Sequence, residues 1–360
     1  MRDERMKGNA LMEALKVVAP GTSFREGLES ILRAKTGALI VIGDSSQVMD
    51  IIDGGFTINK EFTPAHLYEL AKMDGAIILT RDIKKILFAN AQLVPDPSID
   101  TFETGIRHRT ADRVAKQTGE LVISISQRRN IITIYKGHNR YVLKDAGSIL
   151  VRANQALQTL EKYKSVLDNA MTNLGVLEFE DMVTLYDVVV VLQRTEMVMR
   201  VVYEIDKYIC ELGSEGRLVS MQLEELVNHT EQDGALVIRD YYVPMEGKTA
   251  EDIVRQIHCC TQEELLDFSF LCRALGYYGG MSILDAAVGC RGYRMLSKVP
   301  RVPASVIANL VNKFIDFQGI LNASIEELDE VEGIGNVRAR TIKESLEKIQ
   351  QQLLTDNRNI

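Results

Sequence analysis

Between residue 1 and about residue 145, short apolar runs alternate with stretches whose apolar residues recur at helical spacing. The apolar runs predict buried strands, and the amphipathic stretches predict helices. The predicted strands are Ala38–Gly43, Ala76–Leu79, Ile86–Phe88, Leu121–Ile125, Ile131–Tyr135 and Tyr141–Leu143, the last two flanking a hairpin signal at Lys136–Asn139. The predicted helices are Ala10–Val18, Phe24–Ala34, Pro64–Met73 and Thr110–Thr118. This alternation predicts an α/β domain built on a central sheet.

From about 146 to 285 the pattern is helical almost throughout. Apolar residues follow a three-to-four spacing from Leu150 to Leu174, and Pro244 is the one proline of this stretch. No group of side chains here indicates chemistry. The pattern predicts an all-helical spacer or an oligomerisation scaffold.

The pattern of turns and helical segments changes again between residues 286 and 352. Arg291-Gly-Tyr-Arg294 precedes a proline-marked turn and two helical segments. A further predicted helix, Ser324–Val331, is joined to one that starts at Asn336 by Glu332-Gly-Ile-Gly335. The polar tail beyond Gln350 is expected to fray.

Composition and charge narrow the class of protein. The 360 residues have an ordinary globular composition, and no apolar run reaches the length of a membrane helix or forms a signal peptide. The five cysteines lack a disulfide or zinc spacing, which favours a reducing cytosol. Net charge is −8, but from Arg291 onward 10 Lys and Arg stand against 9 Asp and Glu. A DNA contact is therefore expected only locally, near the C-terminus.

Several common catalytic motifs are missing from the sequence. It contains no P-loop, no G-x-G-x-x-G, no H-E-x-x-H and no G-x-S-x-G. This disfavours ordinary P-loop ATPases, dinucleotide-dependent hydride transfer, zinc proteolysis and α/β-hydrolase chemistry.

The densest polar cluster runs from Glu103 to Thr110 and includes Arg107, His108 and Arg109. It lies at a predicted loop-to-helix junction, where exposed amides and the helix dipole attract anions. Arginine offers forked donors suited to phosphate oxygens, and Thr110 would cap the helix or donate its hydroxyl to a phosphate. The alternative is a solvated basic turn that only caps a helix.

A second cluster, Lys72-Met-Asp74-Gly75, stands at the start of a predicted strand. A carboxylate here would hold a divalent ion or orient a hydroxyl nucleophile, and Gly75 would let a ligand approach the backbone. The alternative is a plain Asp-Gly turn, which is how we interpret Asp53-Gly-Gly55.

A third group ends the predicted strand after Leu121. Strand alternation places Ser124 and Ser126 on one face, and Arg128 and Arg129 fall in the following turn. Either arginine could reach a phosphate. A charged hairpin end without a ligand is the alternative.

The Gly333-Ile-Gly335 hairpin between two helices predicts a DNA contact, because its backbone amides can bind a phosphate without reading sequence. Arg338, Arg340 and Lys343 would add salt-dependent charge contacts. The alternative is an ordinary packing unit, and the acidic residues just before the hairpin favour it.

These segments together resemble the family of DNA integrity scanning proteins, which are diadenylate cyclases of spore-forming and other bacteria. The resemblance rests on Pro64–Leu79, Arg107–Ala111, Arg291–Arg294 and the Gly333/Gly335 hairpin, and it covers essentially the whole chain. The combination of Asp-Gly-Ala with Arg-His-Arg is specific to the cyclase domain.

The resemblance implies a multidomain α/β plus all-α protein. Its parts are a cyclase domain with a central mixed sheet (1–145), a helical spine (146–285), a helix-hairpin-helix domain (286–352) and a polar tail (353–360). It implies that two ATP molecules form cyclic di-AMP with release of two pyrophosphates, with Mg²⁺ or Mn²⁺ as cofactor. It further implies a homo-octamer with cyclase domains face to face, binding to branched DNA, and a cytoplasmic location at the nucleoid without membrane attachment.

The resemblance also assigns residues. Asp74 would position the metal and the attacking 3′-hydroxyl, and Arg107, His108 and Arg109 would act with it in catalysis. The residues implied in ATP binding are Gly75, Leu93, Ile106, Arg107, His108, Arg109, Thr110, Ser126 and Arg129. Among them, Gly75 and Leu93 would act through the backbone, and Arg107 to Thr110 would hold the triphosphate. Ser126 and Arg129 would be secondary contacts. Ile106 stands where some relatives have Thr, so no side-chain hydrogen bond is expected from it.

Two other functions are compatible with the residues alone. The first is a non-enzymatic DNA-binding protein whose N-terminal domain only senses a nucleotide. The second is a DNA-repair nuclease anchored by the hairpin, but it would need a cluster of metal-binding carboxylates, and the α/β part has only isolated ones.

Overall fold

The computed structural model describes residues 11–245 and 247–357. Its N-terminal part contains an eight-stranded sheet in the order β2-β5-β4-β1-β6-β7-β8, with β3 also paired to β5. The strands are β1 Ala38–Ile42, β2 Ile52–Asp53, β3 Phe56–Glu61, β4 Ala76–Leu79, β5 Lys85–Leu93, β6 Leu121–Ser126, β7 Ile131–Lys136 and β8 Asn139–Val142. β1 and β4 are parallel and the other pairs are antiparallel, so the predicted mixed sheet is confirmed.

Helices cover both faces of this sheet. They are α1 (11–17), α2 Ser23–Arg33, α3 Ser46–Met49, α4 Pro64–Leu70 and α5 Ile106–Thr118. Strand alternation divides the core, because successive side chains point to opposite faces. Ile40 packs with the apolar residues of α1, α2 and α4, whereas Val41 packs with those of α3 and α5. This two-sided burial explains why β1 is apolar at every position.

The predicted start of α5 is wrong by four residues. The helix begins at Ile106, with Gly105 as an extended N-cap, and the Arg109 amide donates to the Gly105 carbonyl at 2.8 Å. Thr110 therefore lies inside the helix, and the prediction that it caps the helix is wrong. Arg107 and His108 consequently sit in the first helical turn.

Some short elements escaped prediction. β2, β3 and α3 are too short or too polar to give a periodic signal, and five of the six residues of β3 are exposed. β5 runs for nine residues although three were predicted. Its exposed positions alternate with buried ones, and Asn90 adopts a left-handed backbone conformation with φ of 51° near an irregularity in the β4–β5 pairing.

The predicted helical stretch is confirmed. It comprises α6 Ala146–Glu180, α7 Leu185–Leu212, α8 Arg217–Val227, α9 Thr230–Tyr241, α10 Ala250–His258, α11 Gln262–Leu266 and α12 Phe268–Leu275, with 3-10 helices at Gly213–Gly216 and Met281–Asp285. The last part contains α13 Tyr293–Ser297, α14 Ala304–Phe314, α15 Phe317–Asn322, α16 Ile325–Asp329 and α17 Asn336–Asn357. With 35 residues, α6 is about 50 Å long.

The prediction of a frayed tail beyond Gln350 is wrong for the residues that the structure describes. α17 continues to Asn357, and Leu353 is buried. Residues 358–360 lie outside the described range. The helix persists because Leu353 and Leu346 lie seven residues apart, on the same side of α17, and both are buried.

Two compact units divide the chain differently from the predicted domains. The first comprises the described residues up to Gln155 together with Ile205–Met221, and the second comprises Ala156–Glu204 and the described residues from Gln222 onward. The segment 205–221 is tied into the first unit by hydrogen bonds. Tyr141 donates its hydroxyl to Glu211 at 2.7 Å, and the Ser214 amide donates to the Pro20 carbonyl at 3.1 Å. The boundaries predicted near 145 and 285 stay predictions.

A buried ionic network lies in the second unit. Arg294, which is only 1% exposed, donates to the fully buried Glu178 at 2.6 Å, and the Tyr241 hydroxyl donates to the other oxygen of Glu178 at 2.7 Å. The backbone amides of Tyr293 and Arg294 donate to Asp240 at 2.6 and 3.0 Å. Burial and the neighbouring charge of Glu178 raise the pKa of Asp240 to about 7.

The network gives the Arg291-Gly-Tyr-Arg294 motif a structural role. The Arg291 guanidinium donates to the carbonyls of Arg239, Asp240 and Tyr242, where α9 ends. Carbonyls at a helix C-terminus lack hydrogen-bond donors within the helix, and the Arg291 guanidinium supplies those donors. The motif thus connects α6, α9 and α13.

Among the described residues, no helix has both the length and the apolar content needed to span a membrane. All five cysteines are free thiols.

Candidate active site

A cleft of about 1030 Å³ opens where four segments of the first unit converge. They are the start of β4, the end of β5, the N-terminus of α5 and the end of β6. The lining residues are Leu39, Asp74, Gly75, Ala76, Asn90, Ala91, Gln92, Leu93, Thr104, Gly105, Ile106, Arg107, His108, Thr110, Ile125, Ser126, Gln127 and Arg128. The fold therefore brings together residues that lie up to 89 positions apart in the sequence.

Asp74 and Arg107 meet in this cleft. The Arg107 Nη2 donates to Asp74 Oδ1 at 3.0 Å, while the Asp74 side chain is 98% exposed. An ion pair this open to water is weak and can be exchanged for a ligand at little cost. The first turn of α5 carries no acidic residue, so the helix dipole and Arg107 act on an anion together.

The Arg107 guanidinium lies against a glycine that the sequence interpretation did not single out. A Cβ built on Gly37 would lie 2.4 Å from Arg107 Nη1 and 3.3 Å from the Ile125 carbonyl oxygen. A side chain at position 37 would displace the guanidinium. Gly37 thus leaves the space in which Arg107 can turn toward Asp74.

Gly75 has a structural reason for being glycine. Its φ is +97°, and a Cβ there would lie 2.8 Å from the Asn90 carbonyl carbon. The close approach is therefore to the backbone of β5. The predicted backbone contact to a nucleotide stays a prediction.

Replacing Gly75 by Ala should destabilise the first unit by about 2–4 kcal/mol, since the left-handed conformation and the clash with β5 add up. Gly54→Ala is the matched control, because Gly54 also has a positive φ (+64°) but nothing within 4 Å of its Cβ position. The Gly54→Ala control should lower the free energy of unfolding by only about 1–2 kcal/mol. Urea unfolding of the two variants checks this difference, and equal midpoints would contradict it.

His108 is 8% exposed and lies deeper than its two arginine neighbours. Its Nδ1 is 2.9 Å from the Tyr135 hydroxyl, and that hydroxyl donates to Glu103 Oε1 at 3.0 Å. Burial lowers the pKa of His108, and the charges of Arg129 and Arg140 lower it further while Glu103 opposes them. Burial therefore favours the neutral form of the imidazole.

The remaining predicted residues are not all brought to the cleft. Leu93, Ile106, Thr110 and Ser126 line it. Arg109 and Arg129 are exposed and lie outside the lining, and the Arg129 amide donates to the Ser126 hydroxyl at 3.3 Å. Arg128 lines the cleft in place of Arg129. The triphosphate contacts of Arg109 and Arg129 stay predictions.

The C-terminal hairpin is the second candidate site. Gly333 and Gly335 are exposed, and Gly333 has a φ of +86°. Arg338 donates to the Gly333 carbonyl, and Arg340 is exposed. The Lys343 ammonium is half-buried and donates to the Leu321 carbonyl, so it is already engaged within the protein.

Comparison with known proteins agrees with this arrangement. Residues 25–140 match the model for the DisA bacterial checkpoint controller nucleotide-binding region, residues 143–284 match the DisA linker region, and residues 316–345 match the helix-hairpin-helix motif. The DNA integrity scanning protein DisA of Clostridium kluyveri is 58% identical over 358 residues, covering 99% of this chain and 100% of the relative. The chain belongs to the DisA family.

A second relative, DisA of Acetivibrio thermocellus, is 57% identical over 357 residues and covers 99% of both chains. Among solved structures, DacA from Staphylococcus aureus is similar at 19% identity with a TM-score of 0.27, covering 40% of this chain and 91% of that chain. The DisA nucleotide-binding region contains the whole cleft, and the helix-hairpin-helix match contains the Gly333/Gly335 hairpin.

Proposed function

We propose that this DisA-family chain condenses two ATP molecules into cyclic di-AMP, releasing two pyrophosphates, and that its hairpin binds branched DNA. One observation carries the enzymatic part. The cleft in the nucleotide-binding region joins the carboxylate of Asp74 to the guanidinium of Arg107 at the N-terminus of α5. That is an arrangement for binding phosphates next to a group that orients a hydroxyl.

The reaction needs in-line positioning and neutralisation of growing negative charge. The 3′-hydroxyl of each ATP attacks the α-phosphorus of the other, a phosphoester bond forms, and the bond to pyrophosphate breaks. Arg107 and Arg128 supply fixed positive charge in the cleft, and the amides at the start of α5 add donors. Among the lining residues, Asp74 is the only carboxylate and the buried His108 is the only histidine.

A single cleft cannot close the ring, because each ATP must meet the other nucleotide's hydroxyl. The residues around the cleft mouth fit a contact with a second copy. Ile106, which lines the cleft, is 85% exposed, and Phe102, two residues before the lining residue Thr104, is fully exposed, although both are large and apolar. Exposed apolar groups beside an open site mark an interaction surface. Face-to-face assembly, as in the octamer that the family resemblance implies, would cover them.

The lining residues fit a divalent ion. Mg²⁺ and Mn²⁺ prefer oxygen ligands, and Mg²⁺ is commonly held by one or two carboxylates together with substrate phosphates. Asp74 is the only carboxylate among the lining residues and is open to the cleft. When bound with ATP, the ion would neutralise phosphate charge, and Asp74 would be its protein ligand.

Incubation with ATP and Mg²⁺ or Mn²⁺, followed by mass analysis of the product, tests the enzymatic proposal. Cyclic di-AMP with two pyrophosphates per product is the expected result. Repeating the reaction with a four-way junction and with a matched linear duplex tests the link to branched DNA. Binding of ATP without any product would favour the alternative of a nucleotide-sensing DNA-binding protein. We further propose that the chain acts in the cytoplasm at the nucleoid, where ATP and chromosomal DNA are both present.

The C-terminal hairpin leads to a separate prediction about DNA binding. Changing Arg338 and Arg340 together to Glu should weaken binding to a four-way junction at least tenfold and reduce the salt slope by about two, because two phosphate contacts are lost. Fluorescence anisotropy at several salt concentrations measures both quantities. Lys348→Glu is the matched control, since Lys348 is an exposed cation farther along α17. Unchanged affinity in the double variant would remove the hairpin from DNA binding, and ATP turnover without DNA should stay as in the wild type.

A further inference from the structure

The loop before α14 repeats the shape of the Gly333/Gly335 hairpin. α13 and α16 both have five residues, and α14 and α17 begin at Ala304 and Asn336. The two helix–loop–helix segments therefore match with a constant offset of 32 positions. We call residues 299–303, between α13 and α14, the proline hairpin. Its counterpart across the offset is 331–335, which contains the two glycines.

The backbone and the buried side chains agree with this repeat. Arg301 and Gly333 occupy equivalent positions, and both have a left-handed backbone, with φ of 62° and 86°. The apolar positions also coincide, since the equivalent buried pairs are Leu296 with Leu328, Val299 with Val331, and Leu310 with Ile342. Only the leucine and valine pairs are identical, so the repeat is clearer in the backbone than in the sequence.

The two hairpins are neighbours in the second unit. A Cβ built on Gly333 would lie 3.0 Å from Val306 Cγ2, in the first turn of α14. The Asn309 side-chain amide donates to the Glu332 carbonyl at 3.1 Å. Because α14 leaves the proline hairpin at Ala304, its first turns connect the two hairpins directly. A nucleic acid bound at one hairpin therefore lies within reach of the other.

The charges at the two hairpins have opposite signs. Before Gly333 the sequence reads Asp329-Glu-Val-Glu332, whereas the equivalent positions before Arg301 read Ser297-Lys-Val-Pro300. Three acidic residues are thus replaced by a serine, a lysine and a proline, and Arg301 takes the place of Gly333. The acidic residues repel a phosphate backbone, and the lysine and arginine attract it.

The proline hairpin offers a side chain where the other hairpin offers amides. Pro303 stands at the position of Gly335, and proline has no N–H to donate to a phosphate oxygen. Arg301 is exposed, and in the described part of the chain its guanidinium makes no hydrogen bond or ion pair. A left-handed backbone is unfavourable for arginine but not for glycine. Folding alone therefore does not explain an arginine at this position.

We propose that Arg301 binds a DNA phosphate, so that the second unit contacts the DNA backbone at two neighbouring hairpins, through a guanidinium at the proline hairpin and through amides at the Gly333/Gly335 hairpin. A guanidinium has forked donors that match phosphate oxygens. The contact reads no sequence, since it involves only the phosphate. The inference rests on the proposal that the chain binds DNA through the Gly333/Gly335 hairpin.

Binding of the full chain to a four-way junction and to a linear duplex of equal length tests the inference, by fluorescence anisotropy at several salt concentrations. Arg301→Gln should weaken binding to both DNAs about three- to tenfold and reduce the salt slope by about one, because one phosphate contact is lost. Arg301→Lys should lose less affinity and keep the slope, since it retains the charge but not the forked donors. Lys348→Gln, which removes an exposed cation farther along α17, is the control and should leave both quantities unchanged.

Arg301→Gly separates a binding role from a folding role. It introduces the residue that stands at position 333 and removes the backbone strain, so the urea midpoint should stay equal or rise. Affinity for DNA should nevertheless fall by the same factor as in Arg301→Gln. Unchanged affinity in both variants overturns the proposal, and so does a loss in Lys348→Gln as large as in Arg301→Gln. ATP turnover without DNA should stay as in the wild type in every Arg301 variant.

The outcomes separate this inference from the proposed role of the Gly333/Gly335 hairpin. If changing Arg338 and Arg340 to Glu weakens binding while the Arg301 variants do not, the inference fails and the Gly333/Gly335 hairpin stays in DNA binding. If only the Arg301 variants weaken binding, Arg301 is a DNA contact and the Gly333/Gly335 hairpin is not. If both weaken it, combining the changes should roughly multiply the two factors, because separate phosphate contacts are lost.

Discussion

Asp74→Asn should lower cyclic di-AMP synthesis below detection, a loss of at least about 10²–10³-fold. Asp74 is the only carboxylate among the residues that line the cleft, and its side chain is open to a bound metal and to the attacking hydroxyl. An amide has a similar shape but carries no charge, so it is a much weaker ligand for a divalent cation than a carboxylate. Mass analysis of the product after incubation with ATP and Mg²⁺ or Mn²⁺ measures the effect.

The same variant should fold and bind DNA normally. The Asp74 side chain is almost fully exposed, and its ion pair with Arg107 contributes little to the free energy of folding. Asp53→Asn is the matched control, because Asp53 is an exposed acid that also precedes a glycine but lies outside the cleft lining. Normal turnover by Asp74→Asn would exclude this carboxylate from the mechanism.

Arg294→Met should destabilise the second unit by about 3–5 kcal/mol. The change leaves Glu178 as a buried carboxylate without its cation, and uncompensated buried charge is among the most costly defects in a protein. Thermal or urea unfolding measures the loss.

A double variant distinguishes the charge from the packing. Adding Glu178→Gln removes the second charge but keeps an oxygen that accepts from the Tyr241 hydroxyl. The double variant should therefore be more stable than Arg294→Met alone. If it is equally or less stable, the loss comes from packing of the arginine side chain rather than from the unpaired charge.

The sequence predicted those elements of the fold that have a strong hydrophobic signal. The central strand β1 and its neighbours β4 and β6 were found nearly to the residue, because each is buried on both faces. The sequence does not predict the edge strand β3, because five of its six residues are exposed and only Phe56 and Ile58 are apolar. Burial supplies the signal, so an element without burial cannot be recognised from its pattern.

The candidate site shows the same limit. Asp74 and Arg107 stand out because each is a polar residue next to a structural breakpoint, and the structure brings them to 3.0 Å. In the sequence alone, Tyr135 looks like any other residue of an apolar strand, and Glu103 looks like an ordinary acidic residue in a loop. Their connection to His108 depends on the pairing of β6 with β7 and the packing of α5, which no local pattern encodes.

The hydrogen bonds from Tyr141 to Glu211 and from Ser214 to Pro20 constrain how the molecule can be dissected. A fragment that stops after the last strand would lack its own supporting segment, 205–221, and would expose surface that this segment covers in the intact chain. Low activity in such a truncated protein would then report a damaged scaffold rather than an inactive cleft. A fragment that ends at residue 221 would keep this segment but would separate Ala156–Glu204 from the rest of the second unit, so the intact chain is the form to assay.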